Sequence, residues 1–252
     1  MTSKNDFKGR VVIVTGASRG IGKAITSAFA SAGASLALCA RDELALKDVA
    51  QGLGSDTFHS KCDVTSDDEV RRFVHAVHER FGKIDILVNN AGDTSSALLT
   101  EMDNDFWQRI LAVNLTGVFL MTRETVPLMI SQQYGRIVNI ASMSAKRGSR
   151  YLGAYSAAKH GVLGFTQSIA LEVVERGVMI NAVCPGYVDT PGQKVNVENM
   201  MRDRGLSEEA VRELMAHKNA RGRFISMDEV AETVLSLSEE GLNITGQAVD
   251  LW

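Results

Sequence analysis

The residues best suited to chemistry in this sequence are Tyr155 and Lys159, in the run Tyr155-Ser156-Ala157-Ala158-Lys159. On a helix, positions i and i+4 share one face, so the phenol and the ammonium become neighbours. A free phenol has a pKa near ~10, too high for a good base at neutral pH. A nearby ammonium favours the phenolate and is expected to lower that value. Such a phenol can take a proton from an alcohol or give one to a ketone oxygen. Ser142 lies thirteen residues earlier, at the end of an apolar run. Its hydroxyl can donate there to a developing alkoxide. Asn114 sits in Val113-Asn114-Leu115, a polar residue among apolar ones. Taken alone, a Tyr-x3-Lys step is common and describes a surface pair in most chains.

A second chemical feature opens the chain. Thr15-Gly16-Ala17-Ser18-Arg19-Gly20-Ile21-Gly22 follows an apolar strand and starts a helix. Glycines at such a turn let the backbone approach a pyrophosphate. The helix N-terminus adds unpaired N–H groups and a favourable dipole. A tight turn without a ligand would give the same local pattern. The next strand ends at Leu38-Cys39-Ala40-Arg41. A carboxylate near this point would accept from adenosine ribose hydroxyls and repel a ribose 2′-phosphate. Cys39 and Ala40 carry no charge, whereas Arg41 and Arg19 can form charge-assisted hydrogen bonds to a 2′-phosphate. NADP(H) is therefore the expected cofactor. NAD(H) is the alternative if Asp42, about twenty residues past the last loop glycine, binds the ribose. Asp42 also suits the first turn of the following helix, where an acid complements the dipole. If both arginines are merely solvated surface charges, the choice stays open.

These residues need a scaffold, and the apolar pattern supplies one. Strand-like runs at Val11–Val14, Leu36–Cys39, Phe58–Cys62, Ile84–Val88, Arg136–Ala141, Val178–Val183 and Gln247–Leu251 alternate with helical patterns. The helices are expected near Ile21–Ala32, Glu43–Gln51, Asp67–Phe81, Asp103–Ser131 and Gly153–Arg176. Thr65-Ser66 followed by acids marks the start of the third. Strands alternating with helices require crossovers, and so a parallel sheet covered on both faces. The expected fold is α/β: one Rossmann-like, doubly wound domain over residues 1–252, with about seven parallel strands. Residues 189–226 break the rhythm with two short helical patterns, Val197–Arg204 and Ser207–Lys218. They read as a flap over the site or as a solvated helical pair.

Taken together, the motifs resemble the short-chain dehydrogenase/reductase family, and the likeness extends over nearly the whole chain. The glycine loop resembles its Thr-Gly-x3-Gly-x-Gly, Asp63-Val64 its adenine-contacting pair, and Asn89-Asn90-Ala91-Gly92 its fourth-strand motif. Pro185-Gly186 resembles the turn after its sixth strand. The resemblance implies that Ser142 stabilises the substrate oxygen and Tyr155 is the general acid/base. It implies that Lys159 lowers the Tyr155 pKa and binds the nicotinamide ribose, and that Asn114 holds a proton-relaying water. It implies cofactor contacts from Gly16, Ser18, Arg19, Gly20, Ile21, Gly22, Arg41, Asp63, Val64, Asn90, Ala91, Gly92, Tyr155, Lys159, Pro185, Gly186, Val188 and Thr190. Ser144, Tyr151 and Tyr187 are the implied substrate contacts. Ser144 could replace Ser142, but the family register favours Ser142.

Lys159-His160-Gly161 with Asn181–Pro191 most resembles bacterial members acting on 3-oxoacyl or 3-hydroxyacyl thioesters and hydroxybutyrate-like compounds. The expected reaction is hydride transfer between NADP(H) and a carbonyl or secondary alcohol. An NAD-dependent dehydrogenase and a silent dinucleotide-sensing module are the alternatives. A homotetramer or homodimer is implied. Flap cations (Lys194, Arg202, Arg204, Arg221) could meet an anionic substrate or be neutralised by nearby acids. Two features depart from the family: Asp93, where an apolar residue is usual, and the Val249-Asp250-Leu251-Trp252 end, without a double glycine. Asp93 could touch substrate or cap a turn.

Composition excludes other classes. The 252 residues are 45% hydrophobic and 23% charged, with a net charge of -3 and no basic block. No nucleic-acid partner is expected. No apolar run reaches membrane-spanning length, and Met1–Asp6 lacks a secretion core. Cys39, Cys62 and Cys184 match no zinc or redox spacing and read as buried thiols. His59, His75, His78 and His217 form no ligand cluster, and His160 reads as packed or solvated, so no metal is expected. A cytoplasmic protein is the expectation.

Overall fold

The computed structural model describes residues 6–54 and 56–252. Most of the N-terminal stretch lacking a secretion core, Met1–Asn5, lies outside them. Strands β1 (Val11–Thr15), β2 (Ser35–Ala40), β3 (Thr57–Lys61), β4 (Ile86–Asn89), β5 (Gly135–Ile140), β6 (Val178–Pro185) and β7 (Ala248–Leu251) form one parallel sheet. Their order is β3-β2-β1-β4-β5-β6-β7. The chain winds outward from β1 to β3, then restarts on the other side of β1 with β4. That reversal opens a crevice at the carboxyl ends of the strands, where ligands bind in such sheets.

The helices are α1 (Gly20–Ser31), α2 (Glu43–Gln51), α3 (Asp67–Phe81), α4 (Asn104–Leu111), α5 (Gly117–Ser131), α6 (Gly153–Val173), α7 (Gln193–Arg204), α8 (Glu208–Ala216) and α9 (Met227–Ser238). α3 follows its sequence signals to the residue. The Ser66 hydroxyl accepts from the Glu69 N–H, three acids fill the first turn, and Gly82 ends the helix at φ 74°. That is the left-handed conformation glycine adopts without a Cβ penalty. No helix among the described residues is long and apolar enough to cross a membrane.

β1 shows why the strands are apolar throughout. Val12 and Val14 pack against Ile25 and Phe29 of α1 and Val230 and Val234 of α9. Val11 and Ile13 face the other way, toward Val70 and Phe73 of α3 and Met121 of α5. Alternate residues thus fill two separate cores. Each fully buried aliphatic or aromatic side chain stabilises the fold by roughly 1.5–3 kcal/mol. The edge strands differ from the expected continuous burial: β3 and β7 are only half covered, each having one neighbour.

Most elements lie within a few residues of the sequence reading, and three departures bear on the architecture. The strand expected from Ile84 begins at Ile86, because the Asp85 carboxylate accepts from the Val11 N–H at 2.8 Å in place of a ladder carbonyl. The helix expected over 103–131 contains a wider π turn at Ala112–Thr116. The helix expected to reach Arg176 tightens after Val173 into a single 3-10 turn ended by Gly177 at φ 78°.

Candidate active site

The glycine loop leaves β1 and is tied to the end of β4. Thr15 Oγ1 accepts from the N–H groups of Asn90 and Ala91, each at 3.0 Å. Asn90 Nδ2 donates to the carbonyls of Thr15 and Gly16. This clamp explains two of the three glycines. A Cβ on Gly16 would sit 2.9 Å from Ala91 Cα, and one on Gly22 would sit 2.2 Å from the Gly16 carbonyl oxygen. Gly20 is different: at φ 57° it has nothing within 4 Å of a Cβ position. Gly20 and the first amides of α1 therefore present the open cradle that suits a pyrophosphate. The role of Thr15 is one that the sequence motif does not reveal. A hydroxyl closing an apolar strand is the available signal.

At the second strand, Asp42 caps α2, its carboxylate accepting from the Ala45 N–H at 3.1 Å. Arg19 and Arg41 are exposed, and neither guanidinium has an acidic partner among the described residues. Asp63 and Val64 follow β3. The Asp63 carboxylate accepts from the Thr65 N–H and hydroxyl, and Val64 packs against Gly117.

The acid/base residues meet at the carboxyl edge of β4, β5 and β6. The Ala141 N–H donates to the Val183 carbonyl at 2.8 Å, carrying the sheet to Ser142. Ser142 then opens a 3-10 turn, Met143–Ala145, accepting from the Ser144 N–H at 3.1 Å. Its hydroxyl lies against the Tyr155 phenol. Ser144 instead pairs with Ser149 through their hydroxyls at 3.1 Å. Tyr155 and Lys159 sit in the first turns of α6, with the ammonium 5.7 Å from the phenol ring centre. Lys159 donates to the Ile140 carbonyl at 2.7 Å. Asn114 lies in the π turn, fully buried, donating to the carbonyls of Ile110 and Asp93. Its Oδ1 and Lys159 Nζ approach the Gly92 Cβ position at 3.0 and 3.9 Å. His160 Nδ1 bonds the Ser156 carbonyl at 2.8 Å, one turn back on its own helix.

Burial dominates the electrostatics of the pair. Burial pushes the phenol up to about 12, and the Ser142 contact only partly opposes that. Burial also pushes the Lys159 ammonium down to about 8. Desolvation disfavours both charged forms. Both shifts favour the neutral forms, a phenol rather than a phenolate and an amine rather than an ammonium.

The remaining candidates surround this centre. Pro185 ends β6, and Gly186 follows with no room for a Cβ, which would fall 2.2 Å from Asn219 Oδ1. Asn219 escapes a reading of the sequence. Buried and far along the chain, it brackets Tyr187, accepting from its N–H and donating to its carbonyl, both at 2.9 Å. Val188 pairs with Ile225 in a single bridge at the flap's base, and the Thr190 carbonyl accepts from Gln193. Tyr151 holds φ 66°, a conformation costing a non-glycine residue roughly 1–2 kcal/mol. Its carbonyl accepts from the Ala97 N–H, and its phenol contacts Asp203 of α7. Of the flap cations, Lys194 and Arg221 face Glu198 and Glu229, and Arg202 donates to the Asn199 amide oxygen. Asp93 caps a turn rather than facing the centre: its carboxylate accepts from the Ser95 N–H and hydroxyl.

A family model for short chain dehydrogenase matches residues 10–201. The chain belongs to the short-chain dehydrogenase family. It is 39% identical to a D-beta-hydroxybutyrate dehydrogenase of Rhizobium meliloti over 249 residues, covering 96% of each chain. It is 38% identical to a 3-oxoacyl-(acyl-carrier-protein) reductase of Thermotoga maritima over 249 residues, covering 97% of each. Its fold superposes on a crystal structure of an actinorhodin polyketide ketoreductase variant with NADPH at a TM-score of 0.92. That pair is 36% identical, and the match covers 99% of this chain and 97% of the other. As a short-chain dehydrogenase, the chain is an oxidoreductase acting on CH–OH groups, with NAD(P) as the family's cofactor.

Proposed function

We propose that this short-chain dehydrogenase is an NADP(H)-dependent reductase of ketones, with a 3-oxoacyl thioester or a similar 3-oxo compound as substrate. The observation that carries the reaction is the buried Ser142–Tyr155 contact beside Lys159. When bound, the nicotinamide supplies the hydride. The Ser142 hydroxyl donates to the carbonyl oxygen and holds it beside the phenol. Tyr155 then gives its Oη proton to that oxygen as charge develops. The Lys159 ammonium stabilises the resulting phenolate and orients the ribose. Asn114 holds the water through which the proton is replaced. Tyr187, Tyr151 and Ser144 line the substrate space, and residues 189–226 cover it as a lid. The contacts of α7 with Ser96 and Tyr151 support that reading. Names of relatives support the 3-oxo substrate class.

The unpaired Arg19 and Arg41 support NADP(H). Asp42, the acid expected to bind ribose hydroxyls in an NAD enzyme, is engaged as a helix cap. Initial rates with NADPH and NADH, over a panel of 3-oxoacyl thioesters, diketones and cyclic ketones, test this. Arg41→Ala is expected to weaken NADPH (raise its KM) by about tenfold and leave NADH unaffected, as loss of a charge-assisted bond of roughly 1.5–3 kcal/mol implies. Equal KM increases for both cofactors would end the 2′-phosphate reading.

The pKa shifts predict a pH dependence. Reduction needs Tyr155 protonated and Lys159 charged. Tyr155, at about 12, stays protonated, whereas Lys159 loses its charge above about 8. The kcat/KM for ketone reduction is expected to be flat below that value and to fall above it. Alcohol oxidation, which needs the deprotonated phenol beside a charged Lys159, should rise with pH below about 8 and level off above it. A reduction rate that climbs between neutral and mildly alkaline pH would contradict this assignment.

We further propose a homotetramer or homodimer. Phe119 of α5 and Leu171 of α6 are exposed apolar side chains on the two long helices, 40% and 83% accessible. Three buried, unpaired thiols support a cytoplasmic, reducing setting.

A further inference from the structure

Gly92 lies between Asn114 and Lys159, and a Cβ there would sit 3.0 Å from Asn114 Oδ1, a tight contact. A glycine is the most pliable link a chain can have. The backbone that holds Asn114 is tied down at the next residue, Asp93. Its N–H donates to Asn114 Oδ1 at 3.2 Å, and its carbonyl accepts from Asn114 Nδ2 at 2.9 Å. Nδ2 also donates to the Ile110 carbonyl. A carboxamide offers two donors and two acceptor lone pairs. Both donors and one lone pair are spent, leaving one lone pair on Oδ1, the atom that approaches the Lys159 side of Gly92.

The Asp93 side chain points away from this centre. One oxygen accepts from the Ser95 N–H at 2.8 Å and from the Ser95 hydroxyl at 2.6 Å. The other pairs with Arg109 of α4. Arg109 also lies over the Phe106 ring at 5.2 Å, which orients the guanidinium. Arg109 and Asn114 belong to one helical run, interrupted by the π turn. That run grips Asp93 twice, by main chain and by side chain. We propose that Asp93 is a positioning residue: its carboxylate, fixed by Arg109 and the Ser95 turn, locks the main chain that orients Asn114. The inference rests on the reading of Asn114 as the relay residue. Burial raises the Asp93 pKa, but the Ser95 and Arg109 contacts outweigh it and hold the carboxyl below its ordinary value. The grip is therefore ionised at neutral pH.

The test is a double-mutant cycle on the full-length enzyme, with NADPH and the ketone turned over fastest in the substrate panel. Asp93→Ala is expected to lower kcat by about tenfold, and Arg109→Met by about threefold, with KM for NADPH within about twofold of the parent. Asp93→Asn keeps the Ser95 turn and should recover part of the loss. In an Asn114→Ala background neither change should cost more, because there is no longer an amide to orient. Equal losses in both backgrounds, or an unchanged kcat in Asp93→Ala, would overturn the proposal. Asn114→Ala alone reports on the relay: a wild-type kcat there removes the relay and the role of Asp93 with it. If Asp93→Ala does not fold, Arg109→Met, an exposed change, carries the same comparison.

Discussion

Tyr155→Phe is expected to cut kcat by about a thousandfold, roughly 4 kcal/mol of barrier, while NADPH still binds. The substitution removes only the hydroxyl. The ring keeps its place against Ile110 and Ala154, so the packing around it survives. What is lost is the proton that neutralises the forming alkoxide and the oxygen that shares the carbonyl with Ser142. Cys184 is the other acid at this edge, and burial pushes its thiol up to about 11. The Tyr155 phenol is placed by its contact with the Ser142 hydroxyl, and the thiol has no such side-chain contact. The readout is kcat beside a fluorescence titration with NADPH. A variant keeping more than about a tenth of the rate would show that another group supplies the proton. A variant that loses NADPH binding as well would show that Tyr155 holds the cofactor more than it serves the chemistry.

The second large effect belongs to Gly22→Ala. The added methyl would lie 2.2 Å from the Gly16 carbonyl oxygen and 2.5 Å from Asn90 Nδ2. Neither can retreat cheaply, because those two atoms are bonded to each other at 3.2 Å in the clamp between the glycine loop and β4. The clamp must open. A cost of about 3 kcal/mol is expected, typical of overpacking at a rigid site. For a chain of this size that is a fall in Tm of roughly 6–12 °C. Cofactor affinity should fall by at least about tenfold, since about 1.4 kcal/mol or more is lost from a loop that must be intact to bind. Gly20→Ala is the control. Its Cβ meets nothing, so its stability cost is the left-handed backbone alone, about 1–2 kcal/mol. If its added methyl enters the space a pyrophosphate would take, affinity should suffer more than Tm. Thermal melts with and without NADPH separate the two. An unchanged Tm for Gly22→Ala would mean that the loop can move off β4, and the clamp would have to be abandoned.

Much of the site was legible because its signals are short. Tyr155 and Lys159 share a face through helical periodicity alone. α3 was readable to the residue because its cap, acidic first turn and terminal glycine all lie in its own segment. The choice between Ser142 and Ser144 was not decided by spacing. It depends on a 3-10 turn that sends one hydroxyl to Tyr155 and the other to Ser149. The π turn at Ala112–Thr116 showed in the sequence only as a polar Asn114 among apolar neighbours. Its Asn114 bonds to Asp93, a residue 21 positions away. Asn219 gave no signal at all, because its Tyr187 partner lies 32 residues earlier.

By itself, then, the sequence determined the alternation of strands and helices, the glycine turn, the Tyr155–Lys159 step and the family resemblance. Each rests on contacts within a helical turn or a strand repeat. Only the tertiary structure decided the strand order, the Thr15–Asn90 clamp, the turned-away carboxylate of Asp93 and the burial of Tyr155. Those depend on what the fold places beside each group. For Tyr155, the loss of water around the phenol raises its pKa, and no spacing rule contains desolvation.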